Sequence, residues 1–225
     1  MPEDRDVADL LARAAAGDPP PADGAVVVVP QPPGPVAGIL AFAAHHVVAA
    51  DVDPAWVHAR LAPGDFSAPV GPAFVAALAE HLDRSFDNLD LVLAAPAVDA
   101  APEARVDLVE VPADHDHPRA ERARRYRCDV RAWEAAGGDG LVVLGRGLAG
   151  RWEAAFEVAP SARGRGLGRV LAATARCLVP AGERVWVQVA PGNVPSLRVV
   201  LAAGFTPIGA EILFAPRATP TRPPA

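Results

Sequence analysis

The chain has 225 residues, 51% of them apolar and 21% charged, which suits one large domain or a domain with a subdomain and excludes a disordered chain. All 21 basic residues are arginine, yet the net charge is −6, so the arginines are not a nucleic-acid signature: DNA and RNA binding leans on a positive field. That field favours cationic partners instead.

Met1 to Asp9 is acidic and lacks the basic start and apolar run of a signal peptide. Val7, Leu10, Leu11 and Ala14 recur at helical spacing, predicting an amphipathic helix over 6–16 that Gly17-Asp18-Pro19-Pro20-Pro21 ends. Residues 25–29 read as a strand. Pro30 to Pro35 forces a turn, and 36–42 reads as the antiparallel partner; 45–50 extends it or forms a third strand. The longest apolar stretch, Val36 to Ala50, is interrupted by His45-His46 and is too short to span a bilayer, so a soluble, cytoplasmic protein is expected.

Asp53-Pro54 opens a helix to about Leu61, and Gly71-Pro72 opens another with Phe74, Val75, Leu78 and Leu82 on one stripe. Strands follow over 89–94 and 106–111. After His115-Asp116-His117-Pro118 comes an arginine-rich helix to about Arg125, then three strands over 126–134, 141–144 and 152–158 joined by glycine-rich turns. The pattern then switches to helix over 166–178, strand over 184–189, helix over 195–203 and strand over 208–214. Pro216 to Ala225 is Pro-rich and reads as a disordered tail. Cys128 and Cys177 lie 49 positions apart in apolar surroundings, fitting neither a disulfide framework nor a zinc site, and read as buried free thiols. His115-Asp116-His117 has no second cluster and reads as a solvated loop, so no metal is expected.

The informative segment is Arg163-Gly164-Arg165-Gly166-Leu167-Gly168, which leads from a strand directly into a helix. Alternate glycines clear the helix entrance, the first-turn N–H groups have no intrahelical partners, and the helix dipole adds positive charge. That is an anion site suited to a pyrophosphate. Arg163, Arg165 and Arg169 add cationic donors. There is no Gly-Lys-Ser/Thr ending as in a P-loop, and no early strand-turn-helix carries a dinucleotide fingerprint.

Val158-x-Pro160-x-x-Arg163-Gly164-x-Gly166-x-Gly168 resembles the central acetyl-CoA motif of the GNAT superfamily of N-acetyltransferases. Asn193-x-x-Ser196-Leu197-Arg198 followed by Ala203-Gly204-Phe205 resembles that superfamily's later motif, with Asn eleven residues before Gly-Phe. The resemblance covers roughly 114–215. It implies an acyl-CoA N-acyltransferase fold, an α/β (α+β) architecture with a mixed, mostly antiparallel sheet flanked by helices. It implies that the strands ending at Val158 and Val189 splay apart, and that acetyl-CoA lies between them, bonded to main chain near Val158. Main-chain N–H groups from Arg165 through Leu167 to Arg169 would hold the pyrophosphate, Asn193 the pantetheine arm, and Ser196 the phosphate or adenine side. For Asn193 a helix N-cap is the alternative reading.

The implied reaction is acetyl transfer to a primary amine of a small molecule or a protein. An amine with a lysine-like pKa of about 10.4 must lose a proton first. Many superfamily members place a tyrosine four residues before the glycine of Gly-Phe; here that position is Val200, and the usual general acid is missing. The only tyrosine, Tyr126, cannot be assigned to the role. Glu153 and Glu157, four apart on a strand and so on one face, are the candidate bases, with a solvated strand face as the plain alternative. Trp152 and Phe156 face the opposite side, toward a core. Val200 keeps alive a non-catalytic rival, an acyl-CoA-binding sensor or interaction module. The expected organisation is a helix and linker over 1–23, an extension or degenerate acyltransferase-like lobe over 24–112, the acetyltransferase core over 113–215 and the tail. Neither nucleic acid nor membrane is an expected partner, and an exposed final strand would allow a homodimer.

Overall fold

The computed structural model describes residues 6–99, 106–112 and 115–217; the predicted tail lies outside them beyond Arg217. Helix α1 (Val7–Ala15) starts where Asp6 accepts the N–H groups of Ala8 and Asp9, and buries Val7, Leu10, Leu11 and Ala14. Strands β1 (Val26–Val29), β2 (Ala37–Phe42) and β3 (His45–Ala49) follow, then α2 (Pro54–His58) and α3 (Pro72–His81). Next come β4 (Arg84–Phe86), β5 (Asp90–Pro96), β6 (Leu108–Val111) and α4 (Pro118–Tyr126). The chain continues through β7 (Cys128–Ala135), β8 (Gly140–Arg146), β9 (Trp152–Val158), α5 (Leu167–Ala175), β10 (Arg184–Val189), α6 (Val194–Ala202) and β11 (Thr206–Pro216). No helix among the described residues is long and apolar enough to cross a membrane.

The described strands form one sheet in the order β1-β3-β2-β11-β5-β10-β9-β8-β7-β6, with β4 also on β11. Only β1–β3 and β9–β10 are parallel. The expected mixed, mostly antiparallel sheet flanked by helices is therefore present. The expected hairpin of 25–29 with 36–42 is not. The hairpin is β2–β3, closed by the two residues between Phe42 and His45, with Ala44 at a φ of 54°. Four prolines between Pro30 and Pro35 deny the earlier link a tight, bonded turn, so it carries the chain past β3 and leaves β1 on that strand's far side. Strand β4 was not anticipated.

The last strand is not an exposed edge, contrary to expectation. It pairs with β2 on one side and β5 on the other, and the edges are β1 and β6. β5, from the first half of the chain, lies antiparallel between β10 and β11, so strands from the two halves interleave.

Strand alternation divides the molecule into two layers around the sheet. On one face Leu93, Val142, Leu144, Val185 and Val187 pack with Leu171, Ala172 and Val200 of α5 and α6. Ile39, Val48, Ile212 and Phe214 continue that face under α2 and α3. On the other face α4 covers Leu141 and Val143 through Ala120 and Ala123, and α1 packs with Val92, Trp186 and Leu148. Cys128 is exposed and Cys177 half-buried, correcting the expectation of two buried thiols. Cys128 begins β7 at a register irregularity with Asp129 at a φ of 50°, which turns it away from the core.

Candidate active site

Strands β9 and β10 run parallel but pair only through Trp152–Val185 and Glu153–Trp186. From Ala154 onward β9 bonds to β8 alone, and the two strands part. Into this opening point the starts of α5 and α6. Gly164 and Gly166 hold φ values of 76° and 85°, the left-handed region in which side chains are strained, and this bends the chain from β9 into α5. The N–H groups of Leu167 and Gly168 make no main-chain hydrogen bond, and no side chain caps the helix. They are open donors at a positive helix end.

A groove of about 630 Å³ lies here. It brings together Val158, Arg163, Gly164, Gly166, Leu167, Gly168, Arg169, Asn193 and Ser196, residues 38 positions apart at the extremes of one short motif series. Arg165 does not line it; its guanidinium reaches back to the Ser161 carbonyl at 2.5 Å. Arg163 Nε donates to the Val158 carbonyl at 3.1 Å, tying the glycine-rich turn to the strand end. Asn193 caps α6, its Oδ1 accepting from the Ser196 N–H at 3.2 Å, while its residue still lines the groove.

Glu153 and Glu157 do share a face, the one under α4. Their surroundings differ. Glu157 pairs with Arg119 of α4 at 2.8 Å, is partly exposed, and the Arg119 hydrogen bond holds its carboxyl below the usual range. Glu153 is 1% exposed. It accepts from Arg127 Nε at 2.9 Å, Arg151 Nε at 2.8 Å and the Leu148 N–H at 3.3 Å. Burial pushes its carboxyl up, but Arg151 and Arg127 together hold it below the usual value. Gly147 makes the arrangement possible, since a Cβ there would fall 2.1 Å from the Glu153 carboxyl group. Glu153 is thus clamped rather than poised.

The network extends to Glu211 of β11, bonded to Arg151 at 2.5 Å, and to Gln188 of β10, which joins Arg127 and Glu211. It borders a second cavity, about 110 Å³, under α4. Asp87, Asp90, Tyr126, Arg127 and Glu211 line it, none of them a sequence candidate for the site. Their signal is not local: they come from three separate segments joined by sheet topology. Tyr126 donates its hydroxyl to Asp87 at 2.8 Å. Val200, fully buried in the core below α6, offers no proton donor. Trp152 and Phe156 pack toward that same core.

The groove and the second cavity lie on opposite faces of the sheet. Phe156 and Val158 turn to the groove side, Glu153 and Ala155 to the other, and Arg119 lines both cavities. His117 accepts the Arg119 N–H at the start of α4, and His115 pairs with Glu134. No group of three or more His, Cys, Asp or Glu among the described residues could hold a metal ion.

No family model and no curated protein matches the chain. Solved structures do. A GCN5-related N-acetyltransferase from Kribbella flavida is 20% identical with a TM-score of 0.41, covering 65% of each chain. An acetyltransferase from the GNAT family of Colwellia psychrerythraea is 14% identical with a TM-score of 0.38, covering 64% of this chain and 62% of that one. A tandem GNAT protein from the clavulanic acid biosynthesis pathway is 19% identical with a TM-score of 0.36, covering 66% and 59%. The matched part spans less than two thirds of each of these proteins.

Proposed function

We propose that the chain is an N-acetyltransferase of the GNAT superfamily, taking acetyl-CoA in the groove between β9 and β10 and passing the acetyl group directly to a primary amine. One observation carries this reading. The sequence motifs assigned to an acyl-CoA line a single groove at the point where two parallel strands part, with open N–H donors at its α5 end. The residues fit the ligand: donors and arginines at one end suit a pyrophosphate, and the unpaired edge of β9 suits an extended amide arm. Arg163, Gly164, Gly166, Leu167, Gly168 and Arg169 would hold the phosphates, while Arg165, expected among them, is turned back to Ser161. Val158 would bond the pantetheine, with Asn193 and Ser196 at its side.

Glu153 and Glu157 were the candidate bases. Both carboxyls are held low by arginine, which favours neither as a proton acceptor near neutral pH. In this reading Glu157 orients Arg119 at the junction of the cavities, and Glu153 anchors the sheet. With Val200 in the tyrosine position, the departing thiolate leaves without a neighbouring acid from α6; a thiol pKa near 8.5 makes that feasible. The acidic net charge argues for an amine acceptor and against nucleic acid.

The test is calorimetric titration with acetyl-CoA beside a thiol-release assay over a panel of primary amines. Heat of binding with amine-dependent thiol release is the expected result. Binding without turnover would favour the acyl-CoA sensor, the reading kept open by Val200, and no heat at all would overturn both.

A further inference from the structure

The cavity under α4 and the groove meet at one place in the sheet. Successive residues of a strand face opposite sides, yet Ala154 and Ala155 both line the cavity, so it reaches the plane of the sheet there. Those are the first residues of β9 beyond its last pair with β10, and Gln188 of β10 lines the cavity from across the gap. The next residues of β9, Phe156, Glu157 and Val158, line the groove. A molecule in the groove therefore meets one in the cavity where the two strands part. An arm bonded to main chain at Val158 and running along the free edge of β9 to Ala154 covers roughly 13 Å and ends at this passage.

Arg119 stands at the passage and is the one residue common to the two linings. It is fixed at both ends. His117 Nδ1, at the start of α4, accepts the Arg119 N–H at 3.1 Å, and Glu157 accepts from Nε at 2.8 Å. The Nη1 and Nη2 groups have no hydrogen-bond partner among the described residues, and the side chain is 36% exposed, so a ligand can reach them. Arg122, Arg127 and Arg151 are instead tied to Asp87, Glu153 and Glu211. Because Glu157 balances the Arg119 charge, the remaining donors place no standing demand for an anion. They suit an oxygen that becomes negative only during a reaction.

Resting on the acetyl-transfer reading above, we propose that Arg119 is a catalytic residue of the transfer, its Nη donors holding the carbonyl oxygen of the thioester. The neutral amine enters from the cavity, and its nitrogen pair forms the C–N bond at the carbonyl carbon. The carbonyl π pair moves onto the oxygen, where Arg119 meets the charge, and returns as the C–S bond breaks. The sulfur leaves with the bonding pair and takes a proton from water as the thiol; the nitrogen gives one proton to water. Val200 brings no donor from α6, so the charge is met from the α4 side of the passage.

The test is infrared difference spectroscopy of acetyl-CoA, isotope-labelled at the carbonyl carbon and bound to the full chain, beside thiol release over a panel of primary amines. In the parent the carbonyl stretch should lie below its value in water. Arg119→Met should remove that displacement, with acetyl-CoA affinity by calorimetry within twofold of the parent. It should also lower kcat by about a hundredfold while the KM for acetyl-CoA holds. Arg119→Lys keeps a donor without the planar fork and should fall between. A parent-like stretch or a parent-like kcat in Arg119→Met overturns the proposal. So does a change confined to the KM of carboxylate-bearing amines, which would make Arg119 a reader of the acceptor. A loss of acetyl-CoA affinity alone overturns it too, making Arg119 a cofactor anchor. Failure of acetyl-CoA to bind the parent strikes the cofactor reading itself. An Arg119-dependent stretch with no amine turned over would strike the transfer reading and leave the contact standing.

Discussion

At the residue scale, position matters more than residue type. Glu153, Glu157, Asp90 and Glu211 are four acids of one chemistry with three fates. The sequence singled out the pair on one strand because alternation is readable; it could not show that Arg127 and Arg151 would clamp one of them. Removing Arg151 by substitution with Met should leave Glu153 and Glu211 buried without their shared counter-charge, costing about 3–5 kcal/mol, measurable by denaturant unfolding. Gly147→Ala should cost a similar amount, because its methyl group would sit where the Glu153 carboxyl now lies. Asp90 behaves in the opposite sense. Its folded pKa lies above its unfolded one, so the native state binds the extra proton and loses stability as pH rises from about 4 to 6. Asp90→Asn should flatten that part of the pH–stability profile and stabilise the chain near pH 7 by about 1 kcal/mol, allowing for solvent screening.

At the element scale, the glycine-rich turn was the most legible part of the sequence. Its glycines, its strand and its helix are all local in the chain, and the structure places them as the spacing implies. Gly166→Val forces a β-branched residue into a φ of 85° at the mouth of α5. If the turn cradles a pyrophosphate, acetyl-CoA affinity should fall at least about tenfold, roughly 1.4 kcal/mol by calorimetry. A parent-like affinity in a folded Gly166→Val protein would remove the turn from the binding site. The β1–β2 pairing was misread for the complementary reason. Strand identity is local, but which strand lies beside which is settled by the Pro-rich connection and by the tight Ala43-Ala44 turn competing for β2.

At the scale of the whole molecule, β5 is the decisive element. It enters from the first half of the chain and separates β10 from β11, carrying Asp90 to the side of Glu211. A fragment of residues 113–215 alone would leave β10 and β11 without the strand between them and with unpaired edges. We expect that fragment to unfold without a cooperative thermal transition, whereas the full chain should give one; a cooperative melt of the fragment would show that the second half folds independently.

The sequence by itself determined most of the elements, the amphipathic faces and the glycine-rich turn into α5, since each depends on residues within a few positions of one another. It determined that Val200 cannot supply a proton. Only the tertiary structure decided where the acids and arginines meet, because Asp90, Tyr126, Glu153 and Glu211 are brought together by sheet order rather than by spacing. Charge compensation is a property of that assembled neighbourhood, and no stretch of chain contains it.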